Sequence, residues 1–273
     1  MVRPSPSSIA LGAVGGGVNV ALVLALYARA GYPTLETYAG VSLLVVTGFV
    51  LGFVPAFVSA HTRLIVPAIG FLAALAGTVF VELTTPSPEW SELEGYLVVD
   101  GPTHVGSYAN TWYVWLSLFL LAGVLECGIR QGYGIETRRL RNLPTPPFSP
   151  GTLAWVVLGF ASLVGVSTVL LALRAGIRPP IAAVGVFVGA VGVTAVPLAA
   201  VLARGIVSPA ILFAVLVPYV LSVEVFTTTD SPVHLLLFGP YAVVLVVAWV
   251  LEATVRSRVR GWDGGRFVSD GGT

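Results

Sequence analysis

Apolar residues run along this chain in long unbroken blocks rather than alternating with period two or repeating every 3.6 positions. Eight blocks are long enough to be membrane-crossing helices: 8–28, 38–59, 64–83, 111–129, 153–173, 181–203, 206–226 and 234–255. A hydrocarbon core about 30 Å thick takes about 20 apolar residues as helix, and a helix satisfies its own backbone groups where no water can. The pattern therefore predicts an all-α polytopic transmembrane helical bundle of about eight spans. The first block follows Arg3 and ends in Ala28-Arg29-Ala30, as a secretory signal would, but its apolar run is longer than an ordinary signal core, so it is read as a retained span.

The punctuation between blocks is repeated. Sliding residues 38–88 by 142 positions puts Pro55 on Pro197, Pro67 on Pro209 and Glu82 on Glu224, and Val81-Glu82-Leu83-Thr84-Thr85 meets Val223-Glu224-Val225-Phe226-Thr227. A shift of 126 puts Leu125-Glu126 on Leu251-Glu252 and Arg130 on Arg256, and Ala28-Arg29-Ala30-Gly31 resembles Leu173-Arg174-Ala175-Gly176. Rare residues that coincide at a fixed offset point to an internal duplication. The units are residues 1–130 and 151–257, joined by an Arg/Pro-rich linker at 131–150 and followed by a tail at 258–273. Four spans per unit is an even number, so the two copies enter the membrane in the same direction, the parallel-repeat case. Gly12/Gly16, Gly48/Gly52 and Gly185/Gly189 have the spacing that lets membrane helices approach closely.

Charge then orients the spans. All fourteen basic residues are Arg. With the N-terminus inside, eleven of them fall in cytoplasmic segments and only Arg29, Arg174 and Arg178 lie outside. Positive charge is retained on the cytoplasmic side, so both termini and the linker are expected there, in the cell (plasma) membrane. The segment 84–110, with Glu89, Glu92, Glu94 and Asp100, falls outside.

Composition removes several classes of function. With 56% hydrophobic and 10% charged residues and a net charge of +1, the chain offers no basic surface for nucleic acid. Without Lys there is no retinal Schiff base, pyridoxal phosphate enzyme or Walker A lysine. The lone Cys127 allows neither an intrachain disulfide nor a multi-cysteine metal site. No GxSxG, HExxH, CxxC or paired-aspartate motif is present, and His61, His104 and His234 lie at span ends, which disfavours bis-histidine haem. No cofactor is expected, and the missing motifs lean against an enzyme while scattered polar residues leave catalysis open. The Lys-free, Ala/Val/Gly/Leu-rich composition resembles that of multi-pass membrane proteins of extreme halophiles. The resemblance spans the chain but carries no motif, so it implies no activity.

What remains are ionisable groups in the membrane, each costing about 2.5–3.5 kcal/mol to insert. Glu126 with Arg130, and Glu252 with Arg256, are i,i+4 pairs near the inner ends of spans four and eight and read as structural ion pairs. Glu82 and Glu224 end spans three and seven with no basic residue within a helical turn, and His104 and His234 precede spans four and eight on the same side. Carboxylate and imidazole together suit Zn²⁺, Mn²⁺ or a proton relay; the competing reading has these groups wetted at the membrane surface. Pro55, Pro197, Pro67 and Pro209 are candidate helix breaks, which in corresponding places of two repeats mark transporter sites or serve as plain kinks. Asn19, alone in span one, is read as an interhelical hydrogen bond. Two functions follow: movement or sensing of a small solute or cation, or a membrane scaffold that meets another membrane protein or its own copy within the lipid bilayer.

Overall fold

The structure, a computed structural model, describes residues 4–226, 235 and 237–259, with the side chains of Leu97 and residues 222–226 outside the description. It is built of helices. Among the described residues, seven are long and apolar enough to cross a membrane: α1 (Pro6–Arg29), α2 (Tyr38–Thr62), α3 (Val66–Thr84), α5 (Trp112–Gly132), α6 (Pro150–Arg174), α7 (Pro180–Arg204) and α9 (Phe238–Arg258). The expected seventh span corresponds to helix α8 (Ser208–Phe226), whose stretch Ser208–Leu221 forms a shorter apolar helix. These helices turn large apolar side chains outward. Trp155 is 81% exposed and Ile181 84%, an arrangement that fits lipid rather than water around them.

The chain falls into two compact units, residues 1–119 and 120–273. The division lies inside α5.

In the first unit α1 packs most extensively on α2, and the contact is made by backbone. A Cβ added at Gly15 would sit 2.7 Å from both the Gly52 carbonyl oxygen and the Ala56 Cβ, while Gly12 and Gly16 accept the rings of Phe53 and Phe49. The 84–110 segment holds more structure than hydropathy predicts. Strands β1 (Glu89–Leu93) and β2 (Tyr96–Asp100) form an antiparallel hairpin, with Trp90 opposite Val99 and positive φ at Glu94 and Gly95 in its two-residue turn. A two-turn helix, α4 (His104–Asn110), follows and packs on α3, α1 and α2.

In the second unit α6 pairs with α7, and α9 lies on α7 and α8. Gly165 receives Phe187 and Val191, and Gly189 meets the start of α9, whereas nothing lies close to Gly185.

The prolines do not break these helices. α2 continues through Pro55 and α7 through Pro197. Pro67 and Pro209 sit in the first turns of α3 and α8, where a missing N–H leaves no bond unmade.

Helix limits recur at the offsets seen in the sequence. A 142-residue shift carries the limits of α2 onto those of α7 and those of α3 onto α8, and a 126-residue shift carries α5 onto α9. Arg63 and Gly205, both left-handed at φ 66° and 64°, end α2 and α7 at the same place. Ser5 and Ser149 cap α1 and α6 by accepting from Ser8 and Thr152 N–H. Both helices close with one pattern: Ala30 to Leu26, Gly31 to Ala28 and Tyr32 to Tyr27 in α1, and Ala175 to Leu171, Gly176 to Leu173 and Ile177 to Ala172 in α6. This is the Schellman-type close in which a left-handed glycine returns two N–H groups to orphan carbonyls.

Candidate functional site

Glu82 lies in the last turn of α3 and is 6% exposed. Its Oε2 accepts the Val105 backbone N–H at 2.9 Å, so the carboxylate sits at the start of α4 and satisfies a donor that the short helix leaves unpaired. Sequence spacing offers Glu82 no cation within a helical turn, but α1 brings one from 53 residues away: Arg29 Nη1 donates to the Glu82 main-chain oxygen at 3.3 Å.

Aromatic side chains complete this end of the unit. Tyr32 stacks on Tyr27 with centroids 4.2 Å apart and meets Trp90 edge-on at 5.0 Å. The Trp90 indole donates to Ala30 O at 2.9 Å and pins the hairpin to the end of α1. The Tyr32 hydroxyl accepts the Gly106 N–H at 3.3 Å. Burial pushes the Tyr32 phenol well above its ordinary range, with the Glu82 charge adding to the effect and the Gly106 N–H opposing it. One turn further along α4, the fully buried Tyr108 donates to Asn19 Oδ1 at 2.9 Å, and Asn19 Nδ2 donates to Gly48 O at 2.7 Å. Asn19 thus makes an interhelical hydrogen bond and anchors α4 as well.

Of the expected Glu/His cluster, Glu82 and His104 are in view. His104 is partly buried and opens α4, next in sequence to the N–H held by Glu82. Glu224 lies in the last turn of α8 with its side chain outside the described residues, and His234 is outside them altogether.

A second carboxylate does similar work in the other unit. Glu252, on α9, accepts Val207 N–H at 3.0 Å and Ser208 N–H at 2.6 Å, together with the Ser208 hydroxyl. It therefore caps α8, where the helix dipole also favours negative charge. Arg256 pairs with Glu252 and donates to the Tyr133 hydroxyl at 2.7 Å, and Tyr133 in turn donates to the Gly205 carbonyl at the end of α7. The pair foreseen from i,i+4 spacing is thus one part of a brace joining α7, α8, α9 and the segment after α5. Arg130 and Glu126 lie 2.9 Å apart, with Glu136 3.6 Å from the same guanidinium.

Sequence reasoning missed Arg29, Tyr32, Trp90, Tyr108, Tyr133 and Ser208. Arg29 alone had left a signal, its coincidence with Arg174. Among the described residues no group of three or more His, Cys, Asp or Glu could hold a metal ion. No family model matches the chain, and neither a curated protein nor a solved structure is found to be similar to it.

Proposed function

We propose that this chain is a multi-pass protein of the cell membrane acting as a non-catalytic scaffold or assembly partner. The observation that carries the reading is where its embedded polar groups are spent. Glu82, Glu252 and Asn19 each bind backbone groups of their own chain, across 23, 44 to 45 and 29 residues respectively. A carboxylate used in this way shapes a bundle and is not held in reserve for a solute.

The proposed architecture is eight spans in two parallel four-span repeats with both termini cytoplasmic. The duplication is supported by helix limits, caps and left-handed closures that recur at fixed offsets. The orientation is supported by the distribution of Arg.

A second reading makes Glu82 half of a site for a small solute or cation, completed by Glu224, His104 and His234. It is favoured by the 142-residue shift, under which Glu224 occupies the same rung of α8 that Glu82 occupies in α3.

Two substitutions separate the readings. Under the scaffold reading Glu82→Leu leaves the Val105 N–H unpaired and costs about 1–3 kcal/mol of stability. Glu82→Gln keeps an acceptor and restores most of that loss, and added cations change neither result. If the wild-type protein is instead stabilised by a cation such as Zn²⁺, Mn²⁺ or Na⁺, and Glu82→Gln folds normally but loses that response, the solute-site reading replaces the scaffold. Thermal unfolding of the purified protein reads both.

A further inference from the structure

In the second unit α6 and α7 meet where Gly165 receives Phe187 and Val191. Between that contact and the turn joining the two helices lies an apolar cleft of about 260 Å³, lined by Val166, Val169 and Leu170 of α6 and by Ala183, Val184 and Phe187 of α7. Val166, Leu170 and Arg174 follow one another at i,i+4 spacing, so the α6 face that lines the cleft leads to Arg174 at the helix end. Arg178 lies in the turn, residues 175–179, and both arginines are exposed.

Neither arginine pairs with a carboxylate among the described residues. Those of the second unit, Glu126, Glu136 and Glu252, serve Arg130, Arg139 and Arg256. That cluster lies at the opposite end of α7, where Tyr133 binds Gly205, about 37 Å away along a 25-residue helix. Arg29, which Arg174 matches in the sequence, is occupied by the Glu82 main-chain oxygen, at an end of the first unit filled by Tyr27, Tyr32 and Trp90. At Arg174 the neighbouring cleft stays open. An apolar cleft leading to uncompensated cations suits an amphiphile, with a hydrocarbon chain for the cleft and an anion for the guanidinium groups. A soluble anion gains nothing from the cleft.

We propose that this cleft holds one acyl chain of an anionic phospholipid, drawn from the leaflet that contains the α6–α7 turn, and that Arg174 and Arg178 bind its phosphate. The inference rests on the chain lying in a bilayer and is independent of whether it acts there as a scaffold.

The test is native mass spectrometry and thermal unfolding of the purified, delipidated full-length protein in a neutral detergent. The probes are phosphatidylglycerol, phosphatidylcholine with the same chains, and glycerol 3-phosphate. One phosphatidylglycerol per protein should bind saturably and about tenfold tighter than phosphatidylcholine, as two arginines facing an anionic headgroup allow. Glycerol 3-phosphate, which has no chain, should not compete with it. Arg174→Gln/Arg178→Gln should lower the affinity for phosphatidylglycerol to that for phosphatidylcholine. Ala183→Phe, which fills the cleft, should weaken both lipids and leave the lipid-free unfolding temperature within a few degrees of wild type. Val166→Phe, at a half-exposed position across the cleft, repeats the obstruction should Ala183→Phe not fold. Arg138→Gln/Arg139→Gln/Arg141→Gln, at the other end of α6, should bind lipid as the wild type does. The proposal is overturned if phosphatidylglycerol does not bind, if the two lipids bind equally or without saturation, or if glycerol 3-phosphate competes. It is equally overturned if the preference survives in Arg174→Gln/Arg178→Gln or is lost in the linker variant, or if filling the cleft leaves binding unchanged.

Discussion

Tyr32 shows how a single side chain couples this structure to its medium. An ordinary phenol titrates near pH 10, and burial beside Glu82 raises the value in the folded chain. Below pH 10 both folded and unfolded states hold the proton and stability is unaffected. As pH rises from 10 toward the raised folded value, the unfolded state releases a proton that the folded state retains, so stability falls with pH. Tyr32→Phe should make the unfolding temperature less sensitive to pH above 10, at the cost of the acceptor for the Gly106 N–H. An unchanged alkaline slope in thermal melts would remove Tyr32 as its source. At Glu252 one carboxylate serves two backbone donors, a hydroxyl and a guanidinium. Glu252→Leu should therefore destabilise at least as much as Glu82→Leu, by about 1–3 kcal/mol, since it leaves the Val207 and Ser208 N–H groups without their acceptor.

Among elements, the α1/α2 contact is the closest, and it depends on glycine for steric reasons. Gly52 faces the Gly15 backbone, which cannot swing away as a side-chain tip can. Gly52→Val should cost about 1–3 kcal/mol through overpacking. Gly17 has nothing within 4 Å, and Gly17→Ala should be neutral or stabilise by up to about 1 kcal/mol. Detergent unfolding of the two variants checks the contrast, and equal effects would mean that helix propensity rather than close approach governs the pair. The glycine spacings visible in the sequence include both helices of this contact, yet the closest approach uses Gly15, which belongs to neither GxxxG pair. Gly185, which does belong to one, is open. Spacing reveals that a helix has a small face but not which way that face turns.

For the whole molecule, membrane orientation is the property most directly open to test. Cys127 is buried and provides a silent background for introduced thiols. Ser91, in the hairpin, and Arg138, in the linker, are both exposed. A membrane-impermeant maleimide added to intact cells should label Ser91→Cys, and should label Arg138→Cys only after permeabilisation. The reverse pattern would invert the proposed topology. Span-by-span superposition of α1 on α6, α2 on α7, α3 on α8 and α5 on α9 in an experimental structure is the corresponding test of duplication, and a different span order in the two halves would refute it.

The positions of the apolar helices were readable from the chain alone because a bilayer imposes one length and one composition on whatever crosses it. The fixed offsets were readable because Pro, Glu and Arg are rare in such segments and coincide by chance only seldom. The i,i+4 pairs were legible because helix geometry places those side chains together whatever surrounds them. Tertiary structure alone decided what the carboxylates do. The Val105 N–H that Glu82 accepts, the Ser208 groups that Glu252 caps and the Arg29 guanidinium beside Glu82 lie 23 to 53 residues away in sequence. Local spacing carries no information at that range. A buried charge takes the nearest unpaired donor the fold delivers, and only the packing of α1, α4 and α8 determines which donor that is.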